Sequence, residues 1–463
     1  MNKEVVNQPT FWGRINSFVS GHTFPGVLLF VMATLALVLA NSSLASTYFS
    51  WWETEITLGF GSFALTLTFI KFINDALMVI FFLMIGLEIK REFLVGELST
   101  SKKAAFPIVA GLAGMLVPAL IYLTFNFSGD GNTAGFGIPM ATDIAFALGV
   151  LFLLGKRVPI ALKVFLLSFA VVDDVGAIAI IAAFYTNYIS WSYLLVAVGG
   201  LLILLILNRT GVRSLLPYIL IGLVIWFCFL HSGIHATIAG LLIAVMIPSG
   251  IHIPVHKYTA EGRRAMDQLD QTQSVLRANR PLLSAPQQSI LEGFGEKYKD
   301  VMSPLLRFYN GLHKPVYLLI LPIFVLANSG ISFTGEGINL LSPISLGIIC
   351  GLVIGKPLGV IGLTWLVSRF GFIEKPQSVT WAQLWGIGLL GGIGFTMSMF
   401  ITYLAFDNPA ETVSAKLAIL VGSFIAGIIG TIYLLRVTKK PELPQETELS
   451  EIVDDEALFL YEK

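Results

Sequence analysis

Long apolar runs recur along the whole chain, and they constrain its fold more than any other feature. About twelve stretches of roughly 17 to 25 residues are apolar enough to cross the hydrocarbon core of a bilayer. The chain is 55% hydrophobic and only 13% charged, which fits the same setting. The sequence therefore predicts an all-α polytopic membrane protein. The predicted spans are residues 23–41, 72–89, 104–126, 136–154, 160–184, 191–208, 215–230, 233–248, 315–331, 344–367, 382–404 and 415–436.

The distribution of basic residues predicts the orientation of these spans. Basic side chains concentrate in the connections that follow even-numbered spans, and such connections face the cytoplasm by the positive-inside rule. Both termini are therefore predicted to be cytoplasmic. With 29 basic and 29 acidic residues the chain has no net charge, so nothing points to a nucleic-acid partner. The basic residues concerned are Lys90, Arg91, Lys156, Arg157, Arg209, Arg213, Arg369, Arg436, Lys439 and Lys440.

Three segments do not read as spans. Residues 54–69 alternate Thr with apolar residues around Gly59 and Gly61, which predicts an outward-facing β-hairpin. Residues 251–312 are polar and predict a partly helical cytoplasmic insertion. The acidic end of the chain predicts a disordered cytoplasmic tail at 441–463, after a membrane transport domain at 1–440 that includes the insertion.

Two predicted spans contain helix-breaking sequences. Residues 135–143 read GFGIPMATD in the fourth span, and residues 391–398 read GGIGFTMS in the eleventh. Pro removes a backbone donor and Gly permits unwinding, so both spans should be interrupted. Each is the second span of a block of three, 3–5 and 10–12, and the two blocks should have opposite topology. Interrupted, crossing helices at matching positions of inverted repeats indicate a transporter's midplane site.

Two adjacent carboxylates, Asp173 and Asp174, lie about 20 Å along the fifth span and so near the middle of the bilayer. Carboxylates persist there only when they are protonated, paired or bound to a cation. Two neighbouring carboxylates repel each other when both are charged. We therefore predict that a proton and a metal cation compete for this pair.

Two further ionisable residues lie deep within predicted spans. Lys356 lies roughly 18 Å into the tenth span, too deep to reach water comfortably, so it needs a carboxylate partner in Asp173 or Asp174. Asp143 lies at the break in the fourth span. It is either a simple helix cap or a charge that stabilises the unwound helix ends and the ion site.

Other ionisable residues lie near the ends of spans. Asp75, Glu88 and Glu92 belong to the second span and its end, where they serve either a solvated interfacial role or ion access. His235 is either a packed histidine at a helix end or a pH-responsive group.

Five segments in sequence order resemble the bacterial NhaA family of sodium/proton antiporters. The likeness extends over residues 20 to 436, nearly the whole membrane portion. The segments are residues 141–149, 173–178, 235–240, 354–359 and 392–398.

This resemblance implies a secondary transporter of the bacterial cytoplasmic membrane rather than an enzyme. It implies electrogenic export of Na+ or Li+ in exchange for a larger number of protons, by alternating access and without a cofactor. A homodimer formed through the hairpin at 54–69 is also implied. Each residue role follows by position: Asp173 and Asp174 as the cation and proton site, Thr142 beside them, Asp143 balancing the crossed half-helices, Lys356 pairing with Asp173, and Glu88 in the cytoplasmic funnel.

The chain departs from the family pattern before the ninth span. The insertion at 251–312 is longer than expected, and residues 308–313 read FYNGLH where the pattern carries an acidic residue and a histidine implicated in pH sensing. The later histidine, His313, is retained. The candidates for pH response or ion access are Asp75, Glu88, Glu92, His235 and His313.

Two other classes of protein fit an intramembrane carboxylate pair. An intramembrane aspartyl protease would use Asp143 and Asp173, but the flanking residues lack the Tyr-Asp and Gly-x-Gly-Asp runs of that class. A cation channel would need repeated filter segments and a continuous pore, whereas paired aspartates with a competing lysine suit a site that empties and refills.

Overall fold

The computed structural model describes most of the chain, and its architecture is almost entirely helical. Within the described residues, nine helices are long and apolar enough to cross a membrane, and two bent pairs raise the number to eleven. These findings confirm the all-α polytopic membrane fold. The described residues are 23–58, 65–128, 131–186, 189–251, 254–273, 283–333, 339–376 and 378–438.

Among the described residues, sixteen helices follow one another along the chain. They are α1 (Phe24–Ala40), α2 (Ala45–Glu53), α3 (Phe69–Val95), α4 (Ser101–Asn126), α5 (Ile144–Leu153), α6 (Ile160–Phe184), α7 (Trp191–Arg209), α8 (Leu215–Ser232), α9 (Thr237–Met246), α10 (Val255–Gln273), α11 (Ala285–Val301), α12 (Pro304–Asn328), α13 (Pro343–Arg369), α14 (Trp381–Gly391), α15 (Phe395–Ala405) and α16 (Pro409–Val437). A 3-10 helix, Thr133–Met140, precedes α5.

Each of the twelve predicted spans contains a helix, but several predicted boundaries are wrong. The eighth span holds only the ten residues of α9. The first span agrees with its prediction, since α1 covers Phe24–Ala40, and a further helix, α2, follows it after a bend of 112°. The second continues to Val95, so Arg91 is a buried helical residue and not part of a connection. A charged side chain can be buried within a helix when an opposite charge neutralises it, as Glu92 does for Arg91. The sequence alone did not indicate this pairing.

The predicted insertion at 251–312 overlaps the first turns of α12, which begins at Pro304. Ser303 caps this helix by accepting a hydrogen bond from Leu306 N at 3.3 Å. The start of this helix was not predicted from the sequence, because its first turns contain several polar residues. The predicted helical content of the remainder is confirmed by α10 and α11, where the rings of Tyr258 and Phe294 stack at 4.8 Å.

The predicted hairpin is present as two short antiparallel strands, β1 (Glu55–Leu58) and β2 (Leu65–Thr68). Glu55 pairs with Thr68 at one end and Leu58 with Leu65 at the other. The predicted turn around Gly59 lies outside the described residues, as does the acidic tail at 441–463. The domain boundaries and the inverted-repeat relation stay predictions.

The chain divides into two compact units. The first comprises Met1–Asn41, Thr100–Ala177 and Ser329–Lys463. Here small residues let α4 and α13 pack closely, since a Cβ added at Gly359 would lie 2.3 Å from the carbonyl oxygen of Ala113.

The second unit comprises Ser42–Ser99 and Ile178–Asn328. In this unit α3 packs against α9 in the same manner. A Cβ added at Gly240 would lie 2.4 Å from the carbonyl oxygen of Val79.

Candidate functional site

The two interrupted spans meet at their breaks, inside the first unit. The 3-10 helix ends at Met140, and extended backbone at Ala141 and Asp143 separates it from α5. Residues 392–394 separate α14 from α15, whose axes differ by 44°. The backbone N–H of Asp143 donates to Ile393 O at 2.7 Å, which joins one break to the other. Both predicted interruptions are thus confirmed.

The carboxylate of Asp143 caps two helices at once. Oδ1 accepts a hydrogen bond from Phe146 N at 2.9 Å, in the first turn of α5. Oδ2 accepts from Thr396 N at 3.0 Å and from Thr396 Oγ1 at 2.6 Å, in the first turn of α15. Helix N-termini carry unsatisfied N–H groups and partial positive charge, so one buried carboxylate stabilises both. The side chain is thus a helix cap for each of the two half-helices.

Two donors serve the opposite, carbonyl-bearing ends of the interrupted helices. The ammonium group of Lys356 donates to Met140 O, at the end of the 3-10 helix. Thr142 Oγ1 donates to Gly391 O at 2.9 Å, at the end of α14. Carbonyl groups left without partners at helix C-termini attract positive charge and donors, and these two side chains meet that need.

Lys356 also forms a buried ion pair with Asp173. Its Nζ lies 2.6 Å from Asp173 Oδ2, and both side chains are fully inaccessible to solvent. Of the two carboxylates that the sequence left open as partners, Asp173 therefore makes the contact. Asp174 is 2% exposed and lies close enough to interact electrostatically with Lys356.

The local structure of α13 brings Lys356 to this place. Two π-helical segments, Gly351–Gly355 and Leu358–Leu363, flank Lys356 and Pro357. Pro357 has no backbone N–H and so interrupts the regular hydrogen-bond ladder. Segments of π-helix inside an α-helix often mark functional positions, but the sequence signal for them here, a proline between glycines, is weak.

The site offers the donor types that hard cations prefer. Thr142 lies beside the Asp173 carboxylate, so a hydroxyl and carboxylate oxygens converge. In the part of the chain that the structure describes, no group of three or more His, Cys, Asp or Glu side chains could hold a metal ion. Taken together, these contacts bring five of the predicted site residues close to one another in the first unit. They are Thr142, Asp143, Asp173, Asp174 and Lys356.

Asp75 and His235, two of the remaining candidates, face each other in the second unit. His235 Nε2 lies 3.4 Å from Asp75 Oδ1. The ring is also fixed by Thr237, whose Oγ1 is 2.8 Å from His235 Nδ1, while Trp226 Nε1 donates to Asp75 O at 2.7 Å. Sequence reasoning considered the two residues separately, since nothing local pairs positions this far apart in the chain.

Glu88 and Glu92 belong to a second cluster in the same unit. Arg91 Nη2 lies 2.9 Å from Glu92 Oε1, and its guanidinium carbon lies 5.1 Å from the ring centroid of Tyr309. The Tyr309 side chain also lies close enough to Glu88 to interact with it. Sequence reasoning missed Arg91 and Tyr309, because one was assigned to a connection and the other to the insertion.

His313 lies one turn after Tyr309 on α12. Its ring centroid is 5.9 Å from that of Tyr309 and 4.7 Å from that of Tyr317. The retained histidine therefore lies between two tyrosine rings of its own helix.

Comparison with known proteins agrees with the motifs of the first unit. The profile of the family described as Na+/H+ antiporter 1 matches residues 16–434. The chain is 46% identical over 432 residues to a protein of Helicobacter pylori (strain ATCC 700392 / 26695), covering 93% of this chain and 97% of the relative. It is 45% identical over 429 residues to one of Wolinella succinogenes, covering 92% and 94%, and 45% identical over 423 residues to one of Oleidesulfovibrio alaskensis, covering 91% and 93%. All three relatives are named Na(+)/H(+) antiporter NhaA. The chain belongs to the Na+/H+ antiporter 1 family.

Proposed function

We propose that this protein exchanges sodium ions for protons across a bacterial cytoplasmic membrane, with Asp173 and Asp174 as the shared site. Family membership supports the exchange. The observation that carries the site is the buried ion pair between Lys356 and Asp173, with Asp174 as its sequence neighbour. Charged groups within a membrane span are costly, and they are kept where ions or protons are moved.

In the proposed cycle three cations compete for the same carboxylates. With no sodium bound, the Lys356 ammonium neutralises Asp173. Sodium bound between the two carboxylates supplies that positive charge instead, so Lys356 loses its partner, and more than one proton leaves the site for each sodium ion bound. Reprotonation then expels sodium on the other side. Li+ has the same charge and the same preference for oxygen ligands, and we include it as a substrate.

Asp143 and the crossed breaks support alternating access. Asp143 caps α5 and α15, which are the second halves of the two interrupted spans. In transporters, interrupted helices of this kind form binding sites that open alternately to the two sides of the membrane. We propose that more protons than sodium ions move in each cycle, so that the exchange carries net charge.

The clusters of the second unit are proposed to serve ion access and pH response. Protonation of His235 would give it a positive charge facing Asp75. Glu88 and Glu92 would attract cations, while Arg91 balances part of their charge. Cytoplasmic termini and a homodimer formed through β1 and β2 belong to the same proposal.

Reconstituted protein tests this function directly. Purified protein in liposomes with an imposed proton gradient should dissipate that gradient on addition of Na+ or Li+, and flux should respond to a membrane potential set with K+ and valinomycin. Asp174→Asn should abolish the response, while Glu374→Gln, which alters an acidic residue between α13 and α14, serves as the matched control. Sodium flux that proceeds without proton movement would instead favour the cation channel.

A further inference from the structure

An apolar groove of about 720 Å³ lies in the first unit, among α1, α5 and α16. Its volume falls within the range of sites for small organic ligands. Its lining includes Phe30, Leu37, Phe146, Ile393, Phe395 and Phe424. No step of the proposed transport cycle uses this groove.

The few hydroxyl groups of the lining are already hydrogen-bonded. Thr34 Oγ1 donates to Phe30 O at 2.9 Å, and Thr431 Oγ1 donates to Gly427 O at 2.6 Å. The hydroxyl of Ser423 accepts from Phe395 N at 3.2 Å. The groove therefore suits a hydrocarbon chain better than a polar ligand.

The groove opens on the side of the spans that faces lipid. Phe424 is 59% exposed and Phe30 is 50% exposed, and each belongs to a helix apolar enough for a bilayer. The lining extends along α16 from Leu417 to Ile432, about 22 Å at 1.5 Å per residue. That length exceeds the roughly 15 Å of one leaflet of the hydrocarbon core, so a whole acyl chain fits along it.

Lys416 lies on α16 directly before Leu417, the first groove-lining residue of that helix. It stands one turn before Leu420, which places it on the groove side of α16 by helical spacing. In the described residues no hydrogen bond or ion pair engages its side chain. It lies about 10 Å from the start of α16 at Pro409, within reach of the headgroup region for a long flexible stem.

We propose that the groove binds one membrane phospholipid, with an acyl chain along α16 and the headgroup phosphate at Lys416. Charge complementarity between the ammonium and the phosphate selects a phospholipid over an uncharged hydrocarbon ligand. The proposal does not rest on the transport function.

A bound chain would contact the helices that flank both breaks. Three lining residues carry backbone groups that hold the crossing: Phe146 N donates to Asp143, Ile393 O accepts from Asp143, and Phe395 N donates to Ser423. An occupied groove therefore packs against the backbone that fixes the site.

Photolabelling tests the acyl-chain contact. The full chain is reconstituted in phosphatidylcholine bilayers with a small fraction of phosphatidylglycerol that carries a diazirine in one acyl chain, then irradiated, digested and mapped by mass spectrometry. Labels should concentrate on groove residues of α1 and α16, severalfold above α7, whose span is only 11% buried and reports on bulk lipid. Equal labelling of α7 and the groove would overturn the proposal.

Two pairs of variants test whether the groove itself takes up the probe. A Cβ at Gly427 would make only ordinary contacts, the nearest at 3.5 Å to Ile393, so Gly427→Leu extends into the groove without displacing backbone. Gly199→Leu makes the same change where nothing lies within 4 Å. Ile428→Trp and Ile429→Trp form a second pair, since both residues are 43% exposed but only Ile428 lines the groove.

Gly427→Leu and Ile428→Trp should lower groove labelling severalfold, while Gly199→Leu and Ile429→Trp leave it unchanged. If both variants of each pair changed groove labelling equally, there would be no discrete lipid site and the proposal would be wrong.

Lys416→Gln tests the headgroup contact. One basic residue near a charged membrane surface changes binding by about fivefold, so labelling by phosphatidylglycerol should fall by that factor. Labelling by a diacylglycerol with the same diazirine chain should be weak and should not change with the substitution. If diacylglycerol labels the groove as strongly as phosphatidylglycerol does, the proposed phosphate contact is wrong.

Discussion

The buried pair of Lys356 and Asp173 makes a quantitative prediction about stability. Lys356→Met keeps the length of the side chain but leaves the Asp173 carboxylate buried without its cation. Breaking a buried ion pair in this way costs about 3 to 5 kcal/mol. The lost hydrogen bond to Met140 O is part of that cost, because both contacts use the same ammonium group. We expect the free energy of unfolding to fall by this amount.

A double-mutant cycle measures the pair itself. Asp173→Asn alone should also destabilise the protein, since it leaves Lys356 without a carboxylate. The double variant Lys356→Met with Asp173→Asn should cost less than the sum of the two changes, by at least about 2 kcal/mol, because removing both charges leaves none uncompensated. Thermal unfolding of purified protein in sodium-free detergent solution gives the comparison.

Lys163→Met is the matched control for this cycle. Lys163 lies on α6, the helix of Asp173, with its Nζ 4.5 Å from the ring centroid of Phe152. Its loss should cost only about 1 kcal/mol, the usual value of a cation–π contact. Acidic solution should reduce the cost of Lys356→Met, because a protonated Asp173 is neutral and needs no partner. Additive effects of the two single substitutions, or a cost of Lys356→Met that does not depend on pH, would refute the reasoning.

Three further predictions concern the site and the insertion. Asp174→Asn should abolish sodium-driven proton flux in liposomes without lowering the melting temperature, and substantial flux from a well-folded variant would move the site elsewhere. Thr396→Val removes the hydroxyl that donates to Asp143 at 2.6 Å and should cost about 1.5 to 3 kcal/mol, the range for a hydrogen bond to a charged group, whereas Thr396→Ser should stay near the parent protein in the same melting assay. Deletion of residues 257–300, most of α10 and all but one residue of α11, should leave transport active with a shifted pH profile, and complete inactivity of a correctly inserted deletion variant would show that the insertion is part of the transport machinery.

The spans and their interruptions could be predicted because their causes are local. A bilayer requires apolar runs of fixed length, and Pro139 and Gly391 show in sequence where two helices cannot continue. The bend after Ala40 was not predicted, since the short helix α2 carries no break signal as strong as these.

The contacts between side chains could be predicted from the sequence only in part. Lys356 needed a carboxylate on physical grounds, which narrowed its partner to two adjacent residues, but the choice of Asp173 depends on packing. The contact of Asp75 with His235 depends on how α3 packs against the start of α9, and sequence alone does not report that geometry. Tyr309 was missed because an aromatic residue in a polar segment carries no signal of its own.

The hydrogen bonds at the crossing link the charge of the ion site to the ends of the broken helices. The Lys356 ammonium contacts Asp173 and Met140 O together, so a cation that displaces Lys356 from Asp173 also changes the positive charge beside the end of the 3-10 helix. Asp143 cannot compensate for that change, because its two oxygens are already engaged by Phe146 and Thr396 at the opposite helix ends. Binding at the aspartates therefore alters the electrostatic balance of one half-helix and leaves the caps of the other two intact.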